Sequence, residues 1–266
     1  MLTWPSTRLL ATLLAQLLSF ALAAGSVTAH GAGPGQGPLV EGHGASTLAA
    51  LHLQPDPAPM SARYAVTITP ARAGRSWPAG QHDWYFHRDA KQVALLKGNI
   101  DEAWHRDERG HLRFERVFHE DARAVDYSTG ELMTLNVHAD WTALSSFIDP
   151  RDLLNLRVQS RTGRGAEQRL RLVGVVGGES WTVDWLPALQ LPARLVRSSR
   201  ERGVIRLELK QQASVAPQHW PRPGVRSADY LRLDAADFGD MDYETVVRKS
   251  EALDIRLGWR TAHAHD

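Results

Sequence analysis

The chain contains no cysteine. That single absence excludes a disulfide framework, thiol chemistry, cysteine metal sites and the acylated cysteine of a lipoprotein anchor. Lysine is scarce as well, represented only by Lys91, Lys97, Lys210 and Lys249. Arginine carries nearly all the positive charge, a preference that base composition explains without a phosphate-binding role. Neither sign of charge is in excess: 31 basic residues against 30 acidic ones leave a formal net charge of +1. Such a balance gives no electrostatic footprint for nucleic acid or an anionic membrane. No apolar run is long enough to span a bilayer. Also missing are the G-x-S-x-G and S-x-x-K signatures of nucleophilic hydrolases, and any glycine-rich phosphate loop after a strand. The expectation is a non-enzymatic protein without a cofactor.

What is present begins with a charged start and an apolar core. Arg8 precedes an apolar run over residues 9–24, interrupted only by Thr12, Gln16 and Ser19, and Val27-Thr28-Ala29 ends it with small residues. This pattern reads as a secretory signal over residues 1–29, cleaved near Ala29, with Ala23 as the second choice. The mature protein is therefore expected in the periplasm with no membrane span. Residues 30–60 read as a flexible linker, because a run of Gly and Pro followed by Pro55, Pro57 and Pro59 cannot bury apolar surface.

From Arg63 onward the apolar period becomes two. Tyr64, Val66 and Ile68 alternate with Ala65, Thr67 and Thr69, and similar short runs follow at 83–88, 92–97, 100–106, 112–118 and 124–127. Their spacing predicts an antiparallel meander of hairpins. A loop over 107–111 places Trp104 opposite Phe114, Ile100 opposite Phe118 and Glu102 opposite Arg116. A slip of one residue would put Trp104 opposite Arg113 and lose cross-strand pairs contributing roughly 0.2–1 kcal/mol each. A turn at Asp89-Ala90 would pair Phe86 with Val93 and Trp84 with Leu95, and a loop over 120–123 would set Phe118 against Val125. One face of the sheet then collects large aromatic side chains. The other carries His105, Arg113, Glu115 and His119 and is expected to face water.

After Gly130 the pattern turns helical at 131–136 and at 140–148, where Asp140 is a candidate N-cap and Trp141, Leu144 and Ile148 form one stripe. Pro150 opens a further short helix carrying Leu153, Leu154 and Leu156. This helical insertion, at about 131–156, is expected to cover the apolar face. Strands resume at 168–176, 180–186, 190–197 and 204–211, the last with Ile205, Leu207 and Leu209 on one side. Residues 61–212 thus read as one mostly antiparallel α+β domain. Residues 213–266 form an extension with Pro217, Pro221 and Pro223, a short strand at 230–233 and one helix at about 243–253, with Asp242 and Glu244 as its cap and first turn.

The segment from Trp185 through Leu186-Pro187 to Leu191-Pro192-Ala193-Arg194-Leu195-Val196 is an aromatic strand, a short loop and an apolar strand. The polar turn Arg200-Glu201-Arg202-Gly203 then leads into another alternating strand. Over residues 185–209 this cadence resembles the periplasmic lipoprotein-carrier superfamily, the LolA/LolB-like half-barrels. The resemblance implies a curved, open half-barrel meander with short covering helices and a C-terminal helix, enclosing an apolar cavity for acyl chains. Under it Trp84, Phe86, Trp104, Phe114 and Phe118, joined by Trp185, would line the ligand-binding face. Glu102 and Arg116 would then be polar handles for a headgroup. The alternative is that both charges lie at the rim, with Arg116 snorkelling to water. Lipid or lipoprotein acyl chains are the expected partners, with envelope proteins beside them. Two rival readings stay open. One is a histidine-based metal-associated envelope protein handling copper or zinc through outer-face residues such as His105 and His119. The other is an interaction subunit of an envelope complex.

Overall fold

A computed structural model describes residues 50–71 and 79–261. The expected secretory segment and the linker up to residue 49 lie outside the described residues. Six strands come first: β1 (Met60–Pro70), β2 (Gly80–Arg88), β3 (Gln92–Leu96), β4 (Ile100–Arg106), β5 (Leu112–Phe118) and β6 (Arg123–Tyr127). Three short helices follow, α1 (Thr129–Thr134), α2 (Trp141–Ser145) and α3 (Pro150–Leu154). The chain then returns to strands: β7 (Arg157–Thr162), β8 (Arg169–Val176), β9 (Glu179–Leu186), β10 (Leu191–Ser199), β11 (Gly203–Ala213) and β12 (Leu231–Asp234), ending in α4 (Thr245–Leu257). All twelve strands join one open, curved sheet in the order β12-β6-β5-β4-β3-β2-β1-β11-β10-β9-β8-β7. Every pairing is antiparallel except β12 with β6, which is parallel.

β1 is the seam. On one side it pairs with β2, on the other with β11, setting Tyr64 against Leu209, Val66 against Leu207 and Ile68 against Ile205. The alternation of β1 thus serves both halves of the sheet, and its inward residues are fully buried.

The expected pairing of β4 with β5 is the one observed, with Trp104 opposite Phe114, Glu102 opposite Arg116 and Ile100 opposite Phe118. Two neighbouring registers differ. Phe86 pairs with Leu95 rather than Val93, and Trp84 faces Tyr64 of β1. The cause is Asp89, which takes the first turn position and accepts from the backbone N–H groups of Lys91 and Gln92 at 2.7 and 2.8 Å. The turn is therefore centred on Ala90-Lys91, two places along in pairing sum. Likewise Phe118 faces Arg123 and Val125 faces Arg116, because the chain turns earlier, through Ala122 in the left-handed region at φ 49°. A shift of two leaves each side chain on its expected face.

Among the helices, Asp140 caps α2 by accepting from Ala143 N at 2.8 Å, and Pro150 opens α3. α1 begins earlier than the apolar pattern indicates, because Ser128 and Glu131 form a reciprocal capping box. The N-cap of α4 is Glu244, without a side-chain bond, so Asp242 is not its cap. None of the described helices is long and apolar enough to cross a membrane.

The inner face holds the core. Phe147, just after α2, stacks on Tyr64 at 4.8 Å and meets Phe86 edge-on at 5.3 Å. The described end of the linker is docked, since Leu51 is buried and its carbonyl accepts from Trp185 Nε1 at 3.2 Å. The outer face of β2–β5, expected to face water, is wet only in part: Asp83 and Arg113 are exposed, but most of the rest is covered. A strap over residues 217–230 crosses it, placing Trp220 edge-on to Tyr85 at 5.5 Å and Tyr230 against His119. Ala94, Leu96 and Ala103 form a small buried cluster on that side. Covering these outward apolar residues removes their surface from water, which outweighs the loss of the strap's own freedom.

Candidate functional site

β4 and β5 project Glu102, Trp104, Phe114, Arg116 and Phe118 to the inner face. Trp104 and Phe114 lie 4.8 Å apart between ring centroids, and Tyr127 of β6 continues the row at 5.5 Å from Phe114. α4 lies across them, burying Val246, Val247, Ser250, Leu253, Asp254 and Leu257. Gly258 ends the helix at φ 74°, a left-handed conformation that favours glycine. Trp259 N then donates to Asp254 O at 2.8 Å, and the indole folds back onto Phe114 at 5.3 Å and Trp104 at 6.1 Å.

Arg116 sits at the centre with no solvent exposure. Its Nη1 donates to Asp254 Oδ1 at 2.9 Å, Ser250 Oγ at 3.0 Å and Tyr127 Oη at 3.3 Å, while Nε reaches Glu102 Oε1 at 3.4 Å. Glu102 also accepts from Lys97 Nζ at 2.8 Å. Asp254 also accepts from the partly exposed Arg260 Nε at 3.3 Å, so three cations meet two carboxylates. Burial pulls the Arg116 pKa down, but Tyr127, Asp254 and Glu102 outweigh it and hold the guanidinium protonated. For Glu102, burial pushes the carboxyl up, yet Lys97 and Arg116 bring it below its ordinary value. Burial raises the Tyr127 phenol, so it stays a donor to the Asp254 carboxylate at 2.9 Å. Neither partner lies at a rim, and Arg116 does not snorkel. Two donors on this face have no acceptor among the described residues: Arg116 Nη2 and Trp104 Nε1.

The residues expected to line a ligand face all point inward, but the structure divides them between two neighbourhoods. Phe86 joins Tyr64 and Phe147, whereas Trp104 and Phe114 surround Arg116 beneath α4. Trp84 and Phe118 are buried in the same core, and Trp185 sits beyond β1 against Leu51. Three groups escaped the sequence reading. Arg88 is buried, donates to Ser145 O at 2.7 Å and Leu189 O at 2.6 Å, and is pushed down to about 10 by burial. Arg197 is fully buried over Trp181 at 4.8 Å and donates to Glu179 at 2.8 Å. Near it, burial and then the charge of Asp149 push the Asp152 carboxyl up to about 6. Asp254 had a legible signal: with Ser250 it forms an i, i+4 polar pair inside the apolar stripe of a helix.

The outer histidines are engaged separately. His105 Nε2 lies 3.4 Å from Glu115, and His119 bridges Asp101 at 2.7 Å and Tyr230 Oη at 3.2 Å. Among the described residues no group of three or more His, Asp or Glu converges to hold a metal ion.

No protein family model matches the sequence, and no curated protein matches it. Solved structures match weakly. One of PNGF-II is 9% identical with a TM-score of 0.39, covering 70% of this chain and 33% of its own, so this chain spans about a third of that protein. A structure of MucB is 12% identical with a TM-score of 0.36, covering 68% of each chain. The MucA/MucB complex of Pseudomonas aeruginosa matches at 12% identity and a TM-score of 0.29, over 68% of this chain and 66% of its own. A LolA superfamily protein from Nitrosomonas europaea matches at 10% identity and a TM-score of 0.22, over 66% of this chain and 94% of its own. The last carries the superfamily name that the cadence at 185–209 suggests.

Proposed function

We propose that the chain is an exported, non-enzymatic binding module that seats a lipid or acyl chain on the aromatic inner face of β2–β5, with α4 occupying that seat when no ligand is bound. The observation that carries this reading is two buried donors without acceptors on this one face, Arg116 Nη2 and Trp104 Nε1, which both pack with Trp259. Such groups cost about 1–3 kcal/mol each when left unsatisfied. A carboxylate, ester or phosphate oxygen on a ligand head would relieve both while the tail replaced Leu253 and Leu257. The way α4 is held supports exchange: its centre is a buried charge cluster, whose desolvation offsets most of its attraction, rather than an uninterrupted apolar seam. Placement in the periplasm follows from reading residues 1–29 as a secretory signal.

Titration of delipidated protein with long-chain fatty acids, followed by tryptophan emission, tests the proposal. Quenching that Trp104→Phe largely removes is expected. Unchanged emission with fatty acids, lysophospholipids and acylated peptides alike would reject it.

A further inference from the structure

β7 is the terminal strand of the sheet, and among the described residues nothing pairs with its far side. Its six residues are exposed apart from Val158, which is half-buried. Arg157 and Arg161 on this strand, Arg164 in the following turn and Arg169 on β8 are all exposed, and none makes an ion pair among the described residues. The contrast with their neighbours is direct, since Arg151 is held by Asp149 and Arg171 by Asp184. Glu167 is the single acid between residues 153 and 178. An otherwise balanced chain therefore concentrates uncompensated positive charge along one open backbone edge.

We propose that the free edge of β7 is a docking site for an extended, acidic segment of a partner protein, which pairs with it as an additional strand. This site uses no residue of the aromatic face, so it stands or falls separately from ligand binding there. An edge strand offers a row of unpaired N–H and C=O groups that only another strand satisfies in full. An anionic membrane would meet the arginines but leave that row unpaired. A second copy of β7 is disfavoured, because it would bring arginine against arginine. Basic side chains and the register irregularity between Val158 and Ser160 also guard the edge against neutral strands. What passes both filters is a strand of opposite charge.

The probe is a synthetic peptide alternating Glu with Val, presented to the full mature chain at low and physiological salt. Shifts of the amide resonances of 157–162 are expected, with affinity falling as salt rises. Arg157→Glu with Arg161→Glu should weaken binding by at least about tenfold, while Arg151→Glu should not. A peptide N-methylated at alternate amides keeps its charge but loses its ladder, and should not bind. Equal binding of the N-methylated peptide would overturn the proposal, as would no binding of the parent peptide. So would self-association through β7, or binding to phosphatidylglycerol vesicles where the peptide fails.

Discussion

The two halves of the sheet are made of similar alternating strands, yet they are covered differently. β4–β6 lie beneath α4 and Trp259 on the inner face, and the 217–230 strap crosses the outer face of this half from Tyr85 to His119. β8–β11 are covered on the inner face only, and outward residues such as Arg171, Thr182, Val196 and Arg206 keep contact with water. Each half buries one arginine completely, over aromatic rings: Arg116 by Phe114 and Arg197 by Trp181. Their charge balance has different sources. Arg197 is answered by Glu179 of the adjacent strand, whereas Arg116 depends on Asp254, 138 positions away in sequence. The second half carries its own partner. The first shares Glu102 of its adjacent strand with Lys97 and borrows Asp254 from the C-terminal helix, and under the proposed function it is the half that opens.

The sharpest way to break this comparison is Arg116→Ala. It leaves the buried Asp254 with only its longer ionic contact to the partly exposed Arg260, and a urea titration should show a loss of about 3–5 kcal/mol. Pairing Arg116→Met with Asp254→Leu should recover most of it, because only the Glu102–Lys97 pair then remains buried. Next in size, Ala103→Glu places a charge beneath the strap and should cost at least about 2 kcal/mol. Thr182→Glu, outward in the uncovered half, should stay within about 0.5 kcal/mol. Similar values for the two would show that the strap provides no cover. Gly258→Ala forces a side chain into a left-handed position and should cost about 1 kcal/mol, with a change in the emission of Trp259.

The smallest effect is a pH dependence in the second half. The folded chain holds the Asp152 proton more tightly than the unfolded chain, with a pKa pushed up to about 6. The stability contributed by its protonated form is therefore full at low pH and lost as pH rises through about 6. Asp152→Asn mimics that form, so thermal melts should show it more stable than the parent at neutral pH and equal to it in acid. A parallel pH profile would remove Asp152 as the cause.

Much of the sheet was legible. The β4–β5 register followed from aromatic and charge pairs that only one alignment satisfies, and Asp140 and Pro150 announced their helices. β7 was not legible, because Arg-Val-Gln-Ser-Arg-Thr has no apolar alternation and is a strand only through pairing with β8. The strap was equally silent, since prolines and a lone Trp220 have no period. Glu102 and Arg116 were found as a pair, but their burial depends on Asp254, a contact that no local pattern encodes.

Hydrogen exchange of the protein, with and without saturating long-chain fatty acid, tests most directly whether α4 holds the ligand's place. Amides of Thr245–Leu257 should lose protection on saturation while β4 and β5 keep theirs. Undiminished protection of α4 under saturating ligand would contradict it.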